Sequence, residues 1–191
     1  MTRMPVLESE QLQIRELRED DLATVHRILL AGFPSDPPVT LEERRTWLHW
    51  TILSYEQLAL LHQPPYGERA IVHTQSQDLI GACGLVPSLM PFGMLPSFAE
   101  PGASPESEYT PEVGLFWAIA PEQQRHGYAT EAARALIDYA FDVMHLKRIV
   151  ATTEYDNVAS MGVMRKAGMR LERNPDVEPH FMQVVGVRDS I

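Results

Sequence analysis

Leu12, Ile14 and Leu17 alternate with polar neighbours, the period-two signature of a half-buried strand, and Leu22, Val25, Ile28 and Leu29 then fall at helical spacing. Asp20 or Asp21 offers that helix an N-cap. Pro34, Pro37 and Pro38 end it, and Thr40 with Glu43 forms a capping-box pattern for a second helix carrying Trp47, Trp50 and Leu53, with the stripe of Trp47 and Trp50 read as core rather than as a ligand box. This region is a candidate wall for a substrate cleft. Residues 70–73 and 79–86 read as a strand pair joined by a polar turn at 75–78.

Prolines at 87, 91, 96, 101, 105 and 111 remove amide donors, so residues 87–111 read as a long surface excursion rather than a regular strand or helix. Its first half carries Met90, Phe92, Met94, Leu95 and Phe98, more apolar surface than a free loop needs. The alternatives are a solvated loop, or a cap over a pocket or a second subunit. The pattern is plainer afterwards. Residues 113–119 predict a strand, and 124–144 a helix with Ala129, Ala132, Ala133, Leu136, Ile137, Ala140 and Met144 on one face. Strands at 148–153, 169–172 and 181–187 and a helix at 159–166 follow. Alternating strands and helices imply the α/β (α+β) class, with helices covering a mixed sheet. Residues 1–191 read as one domain, without internal repeats or low-complexity tracts.

Composition narrows the function. The chain has 191 residues, 45% hydrophobic and 22% charged, as an ordinary globular domain has. Lys plus Arg total 16 against 26 Asp plus Glu, and the net charge of -10 would repel a nucleic-acid backbone. Arg44-Arg45 and Lys147-Arg148 are too small to make a nucleic-acid footprint. An acidic field favours cationic partners such as amines. No run reaches the eighteen or so apolar residues of a membrane span, and residues 1–10 lack a secretory apolar stretch, so a cytoplasmic location is expected. Cys83 has no disulfide partner and reads as a small buried hydrophobe, while the histidines show no metal-ligand spacing, so no metal is expected.

The chemistry concentrates in Pro121-Glu122-Gln123-Gln124-Arg125-His126-Gly127-Tyr128-Ala129-Thr130-Glu131-Ala132, between a strand and a helix. Unpaired amides in a helix's first turn sit at the positive end of its dipole and can hold phosphate when no bulky side chain intervenes. It is not a nucleotide P-loop, since no Gly-Lys-Ser/Thr follows, and three dinucleotide glycines are absent. Taken generically, Gly127 could merely relieve crowding.

The order Gln124-x-x-Gly127-x-Ala129 resembles the Gln/Arg-x-x-Gly-x-Gly/Ala pyrophosphate signature of the GNAT superfamily of N-acetyltransferases. Asn157-x-x-Ser160 followed by Lys166-Ala167-Gly168-Met169 is similar to the Asn-x-x-Ser...Lys-x-Gly-Phe stretch of the branch that acetylates ribosomal-protein N-termini, with Met169 replacing Phe. Glu112-Val113-Gly114 resembles that branch's Glu-hydrophobic-Gly strand opening.

The resemblance implies a sheet splayed between strands 113–119 and 148–153, with acetyl-coenzyme A in the gap. Its pyrophosphate would lie on Gln124, Arg125, His126, Gly127, Tyr128, Ala129 and Thr130. Its pantetheine arm would follow Phe116, Trp117, Ala118 and Ile119, with Asn157 as a polar contact that reads equally as an ordinary N-cap. Direct transfer of acetyl to a primary amine, on a protein N-terminus or a small molecule, needs a base and an oxyanion donor. Glu112 is the preferred base, with Glu154 and Asp156 as rivals, and a main-chain amide near 116–118 the donor. Many relatives place a tyrosine acid near position 164, occupied here by Met164, so Ser160 is carried over as the acid. A non-catalytic acyl-coenzyme A-binding or regulatory protein is the alternative, and a homodimer is left open.

Overall fold

A computed structural model describes residues 3–99 and 109–190. β1 (Leu7–Glu8) and β2 (Leu12–Arg15) precede α1 (Leu22–Gly32) and α2 (Leu41–Leu60). β3 (Gly67–His73), β4 (Leu79–Met90), β5 (Thr110–Ile119) and α3 (Tyr128–Asp138) follow. β6 (Arg148–Thr153), α4 (Val158–Lys166), β7 (Arg170–Arg173) and β8 (Val184–Asp189) complete the order. The strands form one mixed sheet in the order β1-β2-β3-β4-β5-β6-β8-β7. All six residues of β6 pair with β8 in antiparallel register, whereas its parallel register with β5 is the single pair Gly114↔Val150. The sheet is splayed at that junction, as expected. Among the described residues, no helix is long and apolar enough to cross a membrane.

The chain divides into two compact units, Met1–Leu85 with Trp117–Asp138, and Val86–Phe116 with Tyr139–Ile191. In the first, Leu17, Val25, Ile28, Leu48, Val72 and Ala118 share a buried cluster. β4 and β5 approach so closely that a Cβ on Gly81 would lie 2.6 Å from the Ala118 carbonyl oxygen. The β3–β4 hairpin forms as read. So does the α2 capping box, in which Glu43 N donates to Thr40 Oγ1 at 3.2 Å and Thr40 N to the Glu43 carboxylate at 2.8 Å.

Two expectations in this unit change. Asp21 occupies the α1 N-cap position in right-handed helical geometry, and its side chain makes no cap hydrogen bond. Its carboxylate instead accepts both Arg15 terminal nitrogens, at 2.7 and 2.9 Å, because a forked guanidinium satisfies two oxygens at once. The tryptophan stripe is not uniformly core. Leu48, Thr51, Tyr55 and Leu58 form the buried stripe of α2 at spacings of three and four, which leaves Trp47 half-buried against the core and Trp50 61% exposed.

In the second unit the proline-rich reading is corrected at both ends. β4 continues through Pro87 to Met90, and β5 begins at Thr110 and contains Pro111. Proline is excluded from a strand only where its missing amide is needed by a partner. Phe92, Leu95 and Phe98 are not an excursion: they are buried with Val150, Met182, Val185 and Val187, and the Phe92 and Phe98 rings stack at 5.1 Å. The apolar content of this segment therefore outweighs its prolines. Residues 100–108 of the expected loop lie outside the described residues.

The helix expected from 124 begins later, at Tyr128. A 3-10 turn covers Pro121–Gln123, and Arg125 and Gly127 adopt positive φ values of 69° and 91°, which interrupts helical geometry just before α3. At the other end, α3 gives way to a π turn at Tyr139–Val143 in the second unit.

Candidate functional site

The turn ahead of α3 is built by backbone conformation rather than side-chain bulk. Gln124 Nε2 donates to the Ile119 carbonyl at 3.1 Å and ties the turn's entrance to the end of β5. Gly127 at φ +91° occupies a region costly for any residue with a Cβ, and an added Cβ would find nothing within 4 Å, so the space above the turn is open. The first bonds into α3 run from Thr130 N and Glu131 N to Gly127 O, at 3.0 and 3.1 Å. Among the described residues, the amides of Arg125, His126, Gly127, Tyr128 and Ala129 have no acceptor. Arg125 and His126 are exposed there, Ala129 and Thr130 half-buried. Tyr128 is 9% exposed and packs edge-on against His73, while His126 stacks on its ring at 5.6 Å. Five consecutive donors at the positive end of an eleven-residue helix suit an anion with several oxygens.

Glu131 holds this turn in place and was not singled out by the sequence reading. Its carboxylate accepts Ser9 Oγ at 2.8 Å, Gln11 N at 2.7 Å and Gln11 Nε2 at 3.1 Å, binding the first turn of α3 to the β1–β2 connection. The available signal was an acid in a helix's first turn, where the dipole favours negative charge. Glu131→Ala is expected to cost about 2 kcal/mol of stability, since three donors turn to water instead of a carboxylate. Urea denaturation measures it, and a Glu131→Gln variant that keeps part of the network should lose less.

In the second unit, Glu112 is the third residue of β5, with a side chain only 14% exposed. Arg148, the first residue of β6, places Nη1 3.7 Å from Glu112 Oε1 and donates from Nε to Asp189 Oδ1 at 2.8 Å. Its guanidinium also lies over the Phe98 ring, 4.5 Å from the centroid. Burial pushes the Glu112 carboxyl above its ordinary pKa, Arg148 pulls it back, and Asp189 adds to the rise. A carboxylate displaced upward by burial is better matched to accepting a proton near neutrality than a free one. Arg148 appeared in the sequence only as half of a basic pair, because its partners lie on other strands.

The rival bases are placed differently. Burial raises the Glu154 carboxyl, but hydrogen bonds from its own amide, Thr153 and Asn157 outweigh it and hold the group below its ordinary pKa. Asp156 is exposed in the turn before α4. Asn157 is the N-cap of α4, its Oδ1 accepting Ser160 N at 3.0 Å, so the ordinary capping role is present. Ser160 is half-buried in the first turn of α4. Met164, at the position where the resemblance implies a tyrosine acid, is buried against Gly186 and has no proton to give. Phe116 and Trp117 are half-buried in β5, Ala118 and Ile119 buried. Cys83 is fully buried and its thiol is pushed up to about 12 by burial, which removes it as a nucleophile. Among the described residues, no group of three or more His, Cys, Asp or Glu could hold a metal ion.

A splayed mixed sheet whose central strand feeds a glycine turn and a helix with unpaired amides is the architecture of an α/β acyltransferase. Residues 11–170 match the acetyltransferase (GNAT) domain family. The uncharacterized N-acetyltransferase YnaD of Bacillus subtilis (strain 168) is 48% identical over 65 residues, 34% of this chain and 37% of that protein. This match therefore spans little more than a third of that relative's length. An acetyltransferase structure from Agrobacterium tumefaciens str. C58 superposes with TM-score 0.71 at 21% identity, over 100% of this chain and 97% of that one. RimL, a ribosomal L7/L12 alpha-N-protein acetyltransferase in complex with coenzyme A, superposes with TM-score 0.67 at 15% identity over 97% and 98% of the two chains. The chain belongs to the GNAT acetyltransferase family, whose members are acyl-coenzyme A-dependent enzymes.

Proposed function

We propose that this chain transfers the acetyl group of acetyl-coenzyme A to a primary amine by direct attack on the thioester. The observation that carries the reading is the run of five amides from Arg125 to Ala129, unpaired among the described residues, beneath the open face of Gly127. These amides hold the pyrophosphate, with Gln124 fixing the turn's entrance and Thr130 closing it. Charge-assisted hydrogen bonds contribute about 1.5 to 3 kcal/mol each before ordering costs, whereas micromolar affinity requires about 8 kcal/mol net. The pantetheine arm therefore adds its own bonds, to the backbone of Phe116, Trp117, Ala118 and Ile119 in β5 and to Asn157.

In the reaction, Glu112 removes the proton of the ammonium group, directly or through water, and the amine lone pair attacks the carbonyl carbon. Charge collects on the carbonyl oxygen beside a β5 amide near 116–118. The carbon–sulfur bond then breaks as the nitrogen gives up its second proton, which passes through the Ser160 hydroxyl to the thiolate, so that the hydroxyl is restored. A thiol with a pKa of about 8.5 is already a fair leaving group, so a weak acid costs less than a missing base. The acceptor is an amine on a protein N-terminus or a small molecule, and the net charge of -10 favours one that arrives as a cation.

The test is a thiol-release screen of mixed amines and peptides with acetyl-coenzyme A, run beside calorimetry. Release that depends on an added amine supports the reading. Stoichiometric coenzyme binding without release across the panel would instead favour a binding or regulatory role.

A further inference from the structure

Only 14% of the Glu112 side chain is exposed, and that burial works against its ionised form. The charged groups facing it are Arg148 from β6 and Asp189 from β8, while β4 carries no charged residue. Arg148↔Asp189 is a register pair of the β6–β8 ladder, so sheet pairing itself brings the acid against the arginine. One guanidinium thus serves two carboxylates, closely with Asp189 at 2.8 Å and more loosely with Glu112 at 3.7 Å.

Two further contacts steady this arrangement. The Arg148 guanidinium lies over the ring of Phe98, a buried member of the unit's core. The neighbouring Ser97 is tied down in turn, because its amide and hydroxyl both donate to the Glu172 carboxylate on β7. Arg148 is therefore held in one place from three directions, although Glu112 itself makes no hydrogen bond to it.

We propose that Arg148, seated on Phe98 and shared between Glu112 and Asp189, is the positioning residue that keeps Glu112 ionised for catalysis. Arg148 acts through the carboxylate and touches no substrate. This rests on Glu112 being the base. Its distinctive consequence is that two substitutions at one ion cluster move the same titration in opposite directions. Arg148→Gln removes the positive charge, leaves Asp189 repelling Glu112, and raises the pH at which Glu112 ionises. Asp189→Asn removes the repulsion, frees Arg148 for Glu112, and lowers it. Arg148→Lys keeps the charge but not the fork or the flat stacking face, so it lies between wild type and Arg148→Gln.

The experiment is direct titration of the Glu112 carboxyl by carbon-13 NMR in the four proteins, assigned by its loss in Glu112→Gln, together with the pH profile of kcat/KM. Expected are an upward shift in Arg148→Gln, a downward shift in Asp189→Asn, partial rescue by Arg148→Lys, and an acidic kinetic limb that moves with each. On its acidic limb the Arg148→Gln enzyme should lose several-fold in kcat/KM relative to wild type while its acetyl-coenzyme A affinity is unchanged. Coincident titrations in the four proteins, or shifts of one sign in both variants, would overturn the proposal. Carboxyl titrations that move as stated while the kinetic limb stays still would leave Arg148 in control of the charge and overturn Glu112 as the base.

Discussion

Gly127→Val is expected to weaken acetyl-coenzyme A binding by roughly 100-fold, about 3 kcal/mol in free energy. Two effects act together. Glycine at φ +91° avoids a backbone penalty that a β-branched residue meets in full, of order 1 to 3 kcal/mol for a strained position. The valine side chain would also project into the open space above the turn, separating the pyrophosphate oxygens from the amides of Arg125 to Ala129. Losing one or two charge-assisted bonds accounts for the remainder. Apart from its chain neighbours, no heavy atom of the described residues lies within 4 Å of the added Cβ, so the substitution starts in open space. Calorimetry gives the dissociation constant, with far-UV circular dichroism and a thermal melt to establish that α3 persists. Gly127→Ala, strained but small, should fall between the two. An unaltered dissociation constant in the valine variant would take the pyrophosphate off this turn.

Glu112→Gln is expected to lower kcat by about 100-fold to 10,000-fold, the usual contribution of a positioned base, while leaving the acetyl-coenzyme A dissociation constant alone. Direction matters in the pH profile. As the proposed base, Glu112 acts in its ionised form, and burial raises its pKa, so the wild-type rate is expected to climb as pH rises through a value above the group's ordinary one, and to be lost as pH falls through it. That limb should vanish in the glutamine variant. Stability has the opposite sense: a carboxyl whose folded pKa is raised favours the folded state in its protonated form, an advantage present at low pH and lost as pH rises through the raised value. Glutamine imitates the protonated form, and Arg148 keeps Asp189 as a partner, so the variant should fold. Equal turnover by the variant would place the base elsewhere.

The legible parts of this protein are those whose causes lie within a few residues of one another. The capping box of α2 is an exchange between Thr40 and Glu43, three positions apart, and forms as its pattern implies. The turn ahead of α3 is contiguous from Gln124 to Thr130, and its helix dipole and glycine come from the same short segment. Even here the local pattern overran its mark, because positive φ values at Arg125 and Gly127 keep residues 124–127 out of the helix. The proline-rich segment misled for a different reason. Proline content speaks to which amides are missing, whereas burial of Phe92, Leu95 and Phe98 depends on Val150 and Val185, far along the chain. Asp21 likewise offered itself as a cap and was claimed by Arg15.

The order of elements, the single cysteine, the acidic balance and the Gln124-x-x-Gly127-x-Ala129 motif were determined by the sequence itself, since periodicity, composition and short motifs act without reference to distant residues. The Glu112–Arg148–Asp189 cluster, the core role of residues 92–98 and the tether from Glu131 to Ser9 and Gln11 were decided by the tertiary structure alone. Each joins residues remote in sequence through sheet register or helix docking, and the strength of a charge or an apolar contact depends on separation and burial that only the folded chain sets.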